Sequence, residues 1–327
     1  MLNPISIICA VNGRFAKPFA VMIRSLLVNR NSNRPVTFYV FESDLPPHDR
    51  KLIEATAADD GGSIVWMRAD HTRVQGLPSA SSLSMYDRLF VGDELPASIS
   101  KVIWLDADLL VLGDIGALWE TDMGDKAVLA VQDMAIPFVS CPLGLGEWRA
   151  LGLPRFTPHF NSGVLVIDLN TWRNEDIGGK TIRYLRSRKR HIALYDQEAL
   201  NAILLGRWGA LDPRWNVIAS IAGREFQRSP HLSAEVSRGT VENPWILHFA
   251  GDWKPWTLPY GRHPYDLYFR YLDQTLWSGW RPRVSLSSRS RAFYHECLRK
   301  TLYPLELLYT TLRFRRLREY LRSNFAG

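Results

Sequence analysis

The chain has 327 residues, 46% of them apolar and 22% charged, which excludes a largely disordered or collagen-like protein and fits one large α/β domain with a tail, or two domains at most. No apolar run approaches the roughly 18 residues of a membrane-spanning helix. The formal net charge of +7 is gathered at one end: from Arg281 onward eleven Lys and Arg face three Asp and Glu, while the preceding body is close to neutral.

In chain order, residues 5–11 read as a buried strand and 16–29 carry helical spacing (Phe19, Met22, Ile23, Leu26, Leu27). No basic segment precedes the first apolar run, which is too short for a secretion signal. Residues 36–41 are β-branched and aromatic, and 46–57 open on prolines, which suit a helix start. Strands are expected at 63–67 and 101–105, a helical piece at 85–91 between them, and a strand at 127–131. This alternation predicts a mostly parallel sheet with helices on both faces. Residues 137–158, rich in Pro and Gly, read as a long loop. A strong apolar strand follows at 162–169, then helices near 181–189 and 195–205, and a strand at 244–249 leading into a Gly, Trp and Pro-rich loop. Cys9, Cys141 and Cys297 lie far apart without a CxxC pair, which argues against a disulfide framework and a structural zinc site and points to the cytoplasm. Residues 288–324 read as amphipathic helix broken at Pro304.

The sharpest chemical signal is Trp104-Leu105-Asp106-Ala107-Asp108. Two acids spaced by two, directly after an apolar strand, can turn toward one point, and open α/β sheets bind ligands at the carboxyl ends of their strands. Paired oxygens suit a hard cation such as Mg2+ or Mn2+ shared with substrate phosphates. The alternative is a solvated turn. Against it stand the flanking Val102, Ile103, Leu109, Leu110 and Val111, because two acids in apolar surroundings need compensation.

Three further segments accompany residues 102–108: Phe160-Asn161-Ser162-Gly163-Val164-Leu165, Tyr195-Asp196-Gln197-Glu198-Ala199-Leu200-Asn201, and Leu247-His248-Phe249-Ala250-Gly251-Asp252-Trp253-Lys254-Pro255-Trp256. With these four in order, from about residue 5 to 256, the chain resembles family 8 of the glycosyltransferases, the retaining group containing bacterial lipopolysaccharide galactosyl- and glucosyltransferases and glycogenin. The resemblance implies a GT-A fold, an α/β domain that binds a nucleotide sugar. It implies transfer of galactose or glucose from a UDP-sugar to a glycolipid or lipopolysaccharide-type acceptor, with an α-linkage formed. Asp106, Asp108 and His248 would hold a divalent ion, Mn2+ or Mg2+, and Ala107 would lie in the donor site with them. Without the resemblance, His248 reads as a satisfied histidine at a strand end.

The same resemblance places Gly251 and Lys254 at the diphosphate. A glycine lets backbone approach phosphate closely, and a lysine is a compact point charge; a plain surface lysine is the alternative. Asn161 would contact the donor sugar, Asp196 its hydroxyls, and Gln197 the far face of the anomeric carbon, although Asp196 could equally be a helix cap. Arg88, in Tyr86-Asp87-Arg88, would reach phosphate or donor sugar. Ala10, Val11 and Asn12 would hold the uridine, where Asn12-Gly13-Arg14 departs from the Thr or Asp of many relatives. No GxGxxG follows this strand, which argues against a dinucleotide cofactor. Gln197 is a poor nucleophile, so the implied path is front-face displacement with the leaving phosphate helping to deprotonate the acceptor; Asp196 stays open as a nucleophile.

Two units follow, a GT-A domain over 1–280 and a basic amphipathic tail over 281–327. Arginines interleaved with Leu, Phe and Tyr suit an anionic membrane surface, and the expectation is a cytoplasmic enzyme peripheral to the inner face of the membrane. Packing of the tail on the domain is the alternative, and no nucleic-acid partner is expected from a near-neutral body. A transferase acting on a protein or soluble glycan, and a catalytically idle nucleotide- or carbohydrate-binding protein, are the other functions compatible with these residues.

Overall fold

The computed structural model describes residues 3–78, 82–188, 192, 194–220, 239–251, 254–257 and 264–283. The tail beyond 283, together with Asp252 and Trp253, lies outside the described residues, and so does the expected division at 280 except for its first positions. Among the described residues no helix is long and apolar enough to cross a membrane.

Strands β1 (Ile5–Asn12), β2 (Val36–Ser43), β3 (Gly62–Met67), β4 (Lys101–Leu105), β6 (Val128–Gln132), β7 (Phe160–Asp168) and β8 (Trp208–Ala210) form one seven-stranded sheet in the order β3-β2-β1-β4-β7-β6-β8. All pairs are parallel except those of β7, which runs antiparallel to both β4 and β6. The mostly parallel sheet expected from the alternation is therefore present. Side chains alternate across a strand, and here the alternation divides the protein into two cores. Ile5, Ile7, Cys9, Ile103, Leu105, Val164 and Val166 face one side. Helices α1 (Ala16–Val28) and α2 (Pro47–Ala58) cover it with Phe19, Ile23, Leu26 and Ile53. Ile8, Val102, Trp104, Phe160, Leu165 and Ile167 face the other. That side is covered by α3 (Val91–Glu94), α5 (Leu169–Asn174), α6 (Ile177–Ser187) and α7 (Tyr195–Ile203). Helix α4 (Ile115–Trp119) follows β5 (Leu109–Val111), and α8 (Tyr265–Leu272) packs against α1.

A second sheet is small but decides the site. Strand β10 (Ile246–His248) pairs antiparallel with β5 and parallel with β9 (Val217–Ile218). None of β5, β8 or β9 is long enough to show a period in the sequence. The helical piece expected at 85–91 is a 3-10 helix, Leu83–Phe90, with its start capped by the Ser82 hydroxyl. Tyr86 to Phe90 are all buried, so tertiary burial on several sides outweighs the amphipathic α pattern. Helix α6 begins at Ile177, earlier than expected, with Gly178 and Gly179 inside its first turn. Asn161 lies within β7 rather than ahead of it.

Candidate active site

Asp106 follows β4, and its backbone N–H donates to Gly163 O in β7 (2.9 Å). One carboxylate oxygen, Oδ1, accepts from Trp104 Nε1 at 2.8 Å and from Arg88 Nη2 at 2.9 Å. That fixes the rotamer and leaves Oδ2 free. Asp108 lies one residue before β5, and the register of β5 against β10 sets Leu109 opposite His248. Sheet pairing thus brings the histidine beside an acid that is remote in sequence. His248 Nε2 lies 3.4 Å from Asp108 Oδ1 and 3.9 Å from Asp106 Oδ2. One ligand atom from each of the three lies within 4.8 Å of the others.

Lys254 donates to Asp108 Oδ2 and to Phe249 O. Burial opposes ionisation of Asp108, but Lys254 and His248 outweigh it and hold the carboxyl well below the usual range. Asp106 Oδ2, Asp108 Oδ1 and His248 Nε2 converge on one point, and two carboxylate oxygens with an imidazole nitrogen are a ligand set that fits Mg2+ or Mn2+.

The imidazole is held from behind. His248 Nδ1 is 2.9 Å from Asn216 Oδ1. Asn216 Nδ2 donates to Asn161 Oδ1 (2.9 Å), which also accepts Gly163 N–H (2.9 Å). Asn161 Nδ2 donates to Asp133 Oδ2 at 3.0 Å. Gly163 is the close-approach position: a Cβ there would lie 2.4 Å from His248 Cε1, so a larger residue would push the ring out of place.

Gln197 projects from α7 to the same network. Its Nε2 donates to Asp133 Oδ2 at 3.1 Å, and its Oε1 accepts Ser162 N–H at 3.1 Å. Asp196, one residue earlier, is buried and turned the other way, with Oδ2 2.8 Å from Arg88 Nε in an ionic contact that lacks hydrogen-bond alignment. Burial pushes the Asp196 carboxyl up to about 6, against the pull of Arg88. Arg88 also donates to Ser162 O and lies over the Trp104 ring. One guanidinium therefore ties Asp106, Asp196 and β7 together.

A cleft of about 490 Å³ opens above these groups, lined by Asp106, Asp108, Asp133, Asn161, Gln197 and His248, with Gly251 among the residues at its edge. Gly251 has φ +77, and a Cβ added there would meet no heavy atom within 4 Å. Of the residues expected from sequence, Asp106, Asp108, Asn161, Gln197, His248 and Gly251 line the cleft, Lys254 is bonded to Asp108, and Arg88 and Asp196 lie behind the wall. Ala107 is buried in the turn between the two acids. Ala10 and Asn12 end β1 beside β4, but the Asn12 side chain is engaged locally, accepting Arg14 N–H at 3.0 Å. Sequence reasoning missed Asp133, Asn216 and the buried His159. Asp133 carried a usable signal, an acid just beyond a strand end; a lone Asn after Trp215 carries none.

An open sheet of this order, with Asp-x-Asp at the carboxyl end of a central strand and a polar cleft above it, has the ligand site of an open α/β sheet and the architecture of the GT-A fold. The model of glycosyl transferase family 8 matches residues 6–258, and the chain belongs to that family. General stress protein A of Bacillus subtilis (strain 168) is 32% identical over 281 residues, 83% of this chain and 94% of that protein. Lipopolysaccharide 1,3-galactosyltransferase of Salmonella typhimurium is 26% identical over 261 residues, 76% of this chain and 72% of that protein. The crystal structure of the galactosyltransferase LgtC in complex with donor and acceptor sugar analogs matches with a TM-score of 0.71 at 23% identity, over 88% of this chain and 99% of that one. At that identity the likeness speaks for the fold alone.

Proposed function

We propose that the protein is a metal-dependent retaining hexosyltransferase that moves galactose or glucose from a UDP-sugar to a glycolipid of the lipopolysaccharide type, forming an α-linkage. The observation that carries this reading is the convergence of Asp106 Oδ2, Asp108 Oδ1 and His248 Nε2 at a cleft that Gln197 and Asn161 also line. The Salmonella relative, named for lipopolysaccharide galactosyl transfer, supports the acceptor class. Mn2+ or Mg2+ held by those three residues would supply a Lewis acid for the leaving diphosphate. The chain's own groups do the rest. Lys254, released from Asp108, is a point charge within reach of a diphosphate at the same place. Asn161 and Gln197 offer amide groups to sugar hydroxyls, and the contacts of Gln197 to Asp133 and Ser162 fix which end of its amide faces which partner. Asp196 is committed to Arg88 behind the wall, which favours positioning of Arg88 and Asp106 over attack on the sugar and favours front-face displacement.

The test screens UDP-sugars for Mn2+-dependent hydrolysis, which needs no acceptor, alongside thermal melting with UDP and Mn2+. Nucleotide at about a hundred times its Kd stabilises the fold by about 2.7 kcal/mol, a rise of several degrees. Equal or larger shifts with GDP or CMP, and none with UDP, would overturn the uridine assignment and point to Asn12.

We further propose that residues 281–327 are a separate tail that holds the enzyme at an anionic membrane surface on the cytoplasmic side. Its arginines suit anionic headgroups, each contributing about 1 kcal/mol near such a surface and less in salt. Truncation near Ser288 is expected to leave a folded domain that hydrolyses donor but no longer sediments with phosphatidylserine vesicles. A truncated protein that aggregates and melts many degrees lower would show instead that the tail closes the core.

A further inference from the structure

A histidine binds a metal only through the ring nitrogen that carries no proton, so a histidine ligand is useful only if its tautomer is specified. We infer that Asn216 is the positioning residue that specifies it for His248, and that it does so through a hydrogen-bond chain whose direction is fixed at both ends. This inference rests on the reading of His248 as a metal ligand.

The direction follows from groups whose roles are not interchangeable. A backbone N–H can only donate, and Gly163 N–H meets Asn161 Oδ1 at 2.9 Å. An ionised carboxylate can only accept, and Asp133 Oδ2 meets Asn161 Nδ2 at 3.0 Å. The Asn161 amide is therefore oriented. Its oxygen requires a donor from Asn216, which supplies Nδ2 at 2.9 Å. The remaining end of Asn216 is its carbonyl oxygen, and that oxygen faces His248 Nδ1 at 2.9 Å. Nδ1 must carry a proton, and Nε2 is the nitrogen that faces Asp106 and Asp108 and is open to a cation.

The competing arrangement is also visible. A proton on Nε2 would find Asp108 Oδ1 at 3.4 Å, and the ring would then occupy the carboxylate that a cation needs. Asn216 and His248 are 1% and 4% exposed, so water has little access to substitute for the missing acceptor. Asp133 is itself pinned by Ala135 N–H (2.8 Å) and Ile136 N–H (2.9 Å) and also accepts from Gln197. One carboxylate thus orients the chain behind His248 and the Gln197 amide at the cleft.

The first measurement uses the full-length wild type without metal. Long-range 15N–1H correlation of histidine-labelled protein, with the His248 signals assigned by their loss in His248→Gln, should show a proton on Nδ1. A neutral ring with its proton on Nε2 and none on Nδ1 overturns the inference whether or not the protein binds metal. The second measurement follows Mn2+ binding in the presence of UDP by the electron paramagnetic resonance of free Mn2+. Outer partners of ligating histidines are worth roughly ten- to a hundredfold in affinity. Asn216→Leu should weaken Mn2+ by that factor and move the His248 proton toward Nε2. Asn216→Asp keeps an acceptor for Nδ1–H but loses the donor to Asn161 Oδ1, so it should weaken Mn2+ less than Asn216→Leu does while leaving the His248 proton on Nδ1. Unchanged affinity in Asn216→Leu, or equal weakening in both variants, overturns it. Absence of Mn2+ binding by the wild type would instead overturn the metal reading of the site, while the tautomer measurement still decides the role of Asn216.

Discussion

Replacing Asp108 with Asn is expected to slow donor hydrolysis by about a thousandfold or more, because a Lewis acid at the leaving group is worth several kcal/mol and each 1.36 kcal/mol is tenfold in rate. The fold should survive. Asp108 stands at the cleft, and the partner that loses most is Lys254, whose side chain is 15% exposed and can turn to solvent. Asp106→Asn should remove activity as fully but cost more stability. Asp106 Oδ1 accepts from both Trp104 and Arg88, and the amide oxygen that can take its place keeps both bonds but carries no charge for the buried Arg88 guanidinium to pair with. Chelation of the wild type with excess EDTA should reproduce the Asp108→Asn rate. An Asp108→Asn enzyme retaining a tenth of the wild-type rate, or a wild type indifferent to EDTA, would remove the metal from the reaction.

The second large effect concerns acid. His159 is fully buried, and burial pushes its pKa down to about 4 from 6.5 against the pull of Asp133 and of the Ile136 backbone. The unfolded chain protonates this ring near pH 6.5 while the folded protein refuses the proton, so stability is lost as pH falls from 6.5 to about 4. Asp196 has the opposite sign. Its folded pKa of about 6 lies above the ordinary 3.8, so the folded state takes up the proton first and stability is gained as pH falls through about 6 toward 3.8. Each shift corresponds to about 3 kcal/mol at its limit. The two oppose each other over nearly the same interval, and the wild type should hide both. Urea midpoints at pH 7 and pH 4 should separate them. Between those pH values His159→Phe should gain up to about 3 kcal/mol relative to wild type, and Asp196→Asn should lose a similar amount. Single variants whose pH dependence runs parallel to that of wild type would show that these two groups do not titrate as described.

The large features of the fold were legible because they rest on local pattern. The runs around Ile7, Phe38, Ile103 and Val166 are long enough to read as buried strands, and their residues do divide between two cores. Asp106 and Asp108 were visible because both sit where a strand ends. His248 was assigned a role by resemblance alone, since nothing local to Leu247-His248-Phe249 reveals the register that sets it against Leu109. Asn216 was invisible for a related reason: its partners are Asn161 and His248, and a single Asn closing a 3-10 turn has many local uses. The 3-10 trace of Leu83–Phe90 was read as a helical piece without its type, because burial on several sides, not amphipathic period, shapes it.

The short pairing of β5 with β10 has a consequence for the order in which the enzyme comes into being. A ribosome releases the chain from its N-terminus, and domains fold as their segments emerge. By residue 210 every strand of the seven-stranded sheet has been made, with both acids already in the chain. Strand β5 then still lacks its strand partner, because that partner is β10, and His248, the close packing over Gly163 and the lysine on Asp108 all arrive with residues 246–254. The nascent protein therefore passes through an interval in which the main sheet is whole and the Asp-Asp-His group is not, with β5 unpaired as its exposed weak point. A three-residue strand, made well after the sheet that carries the acids, brings the histidine to them.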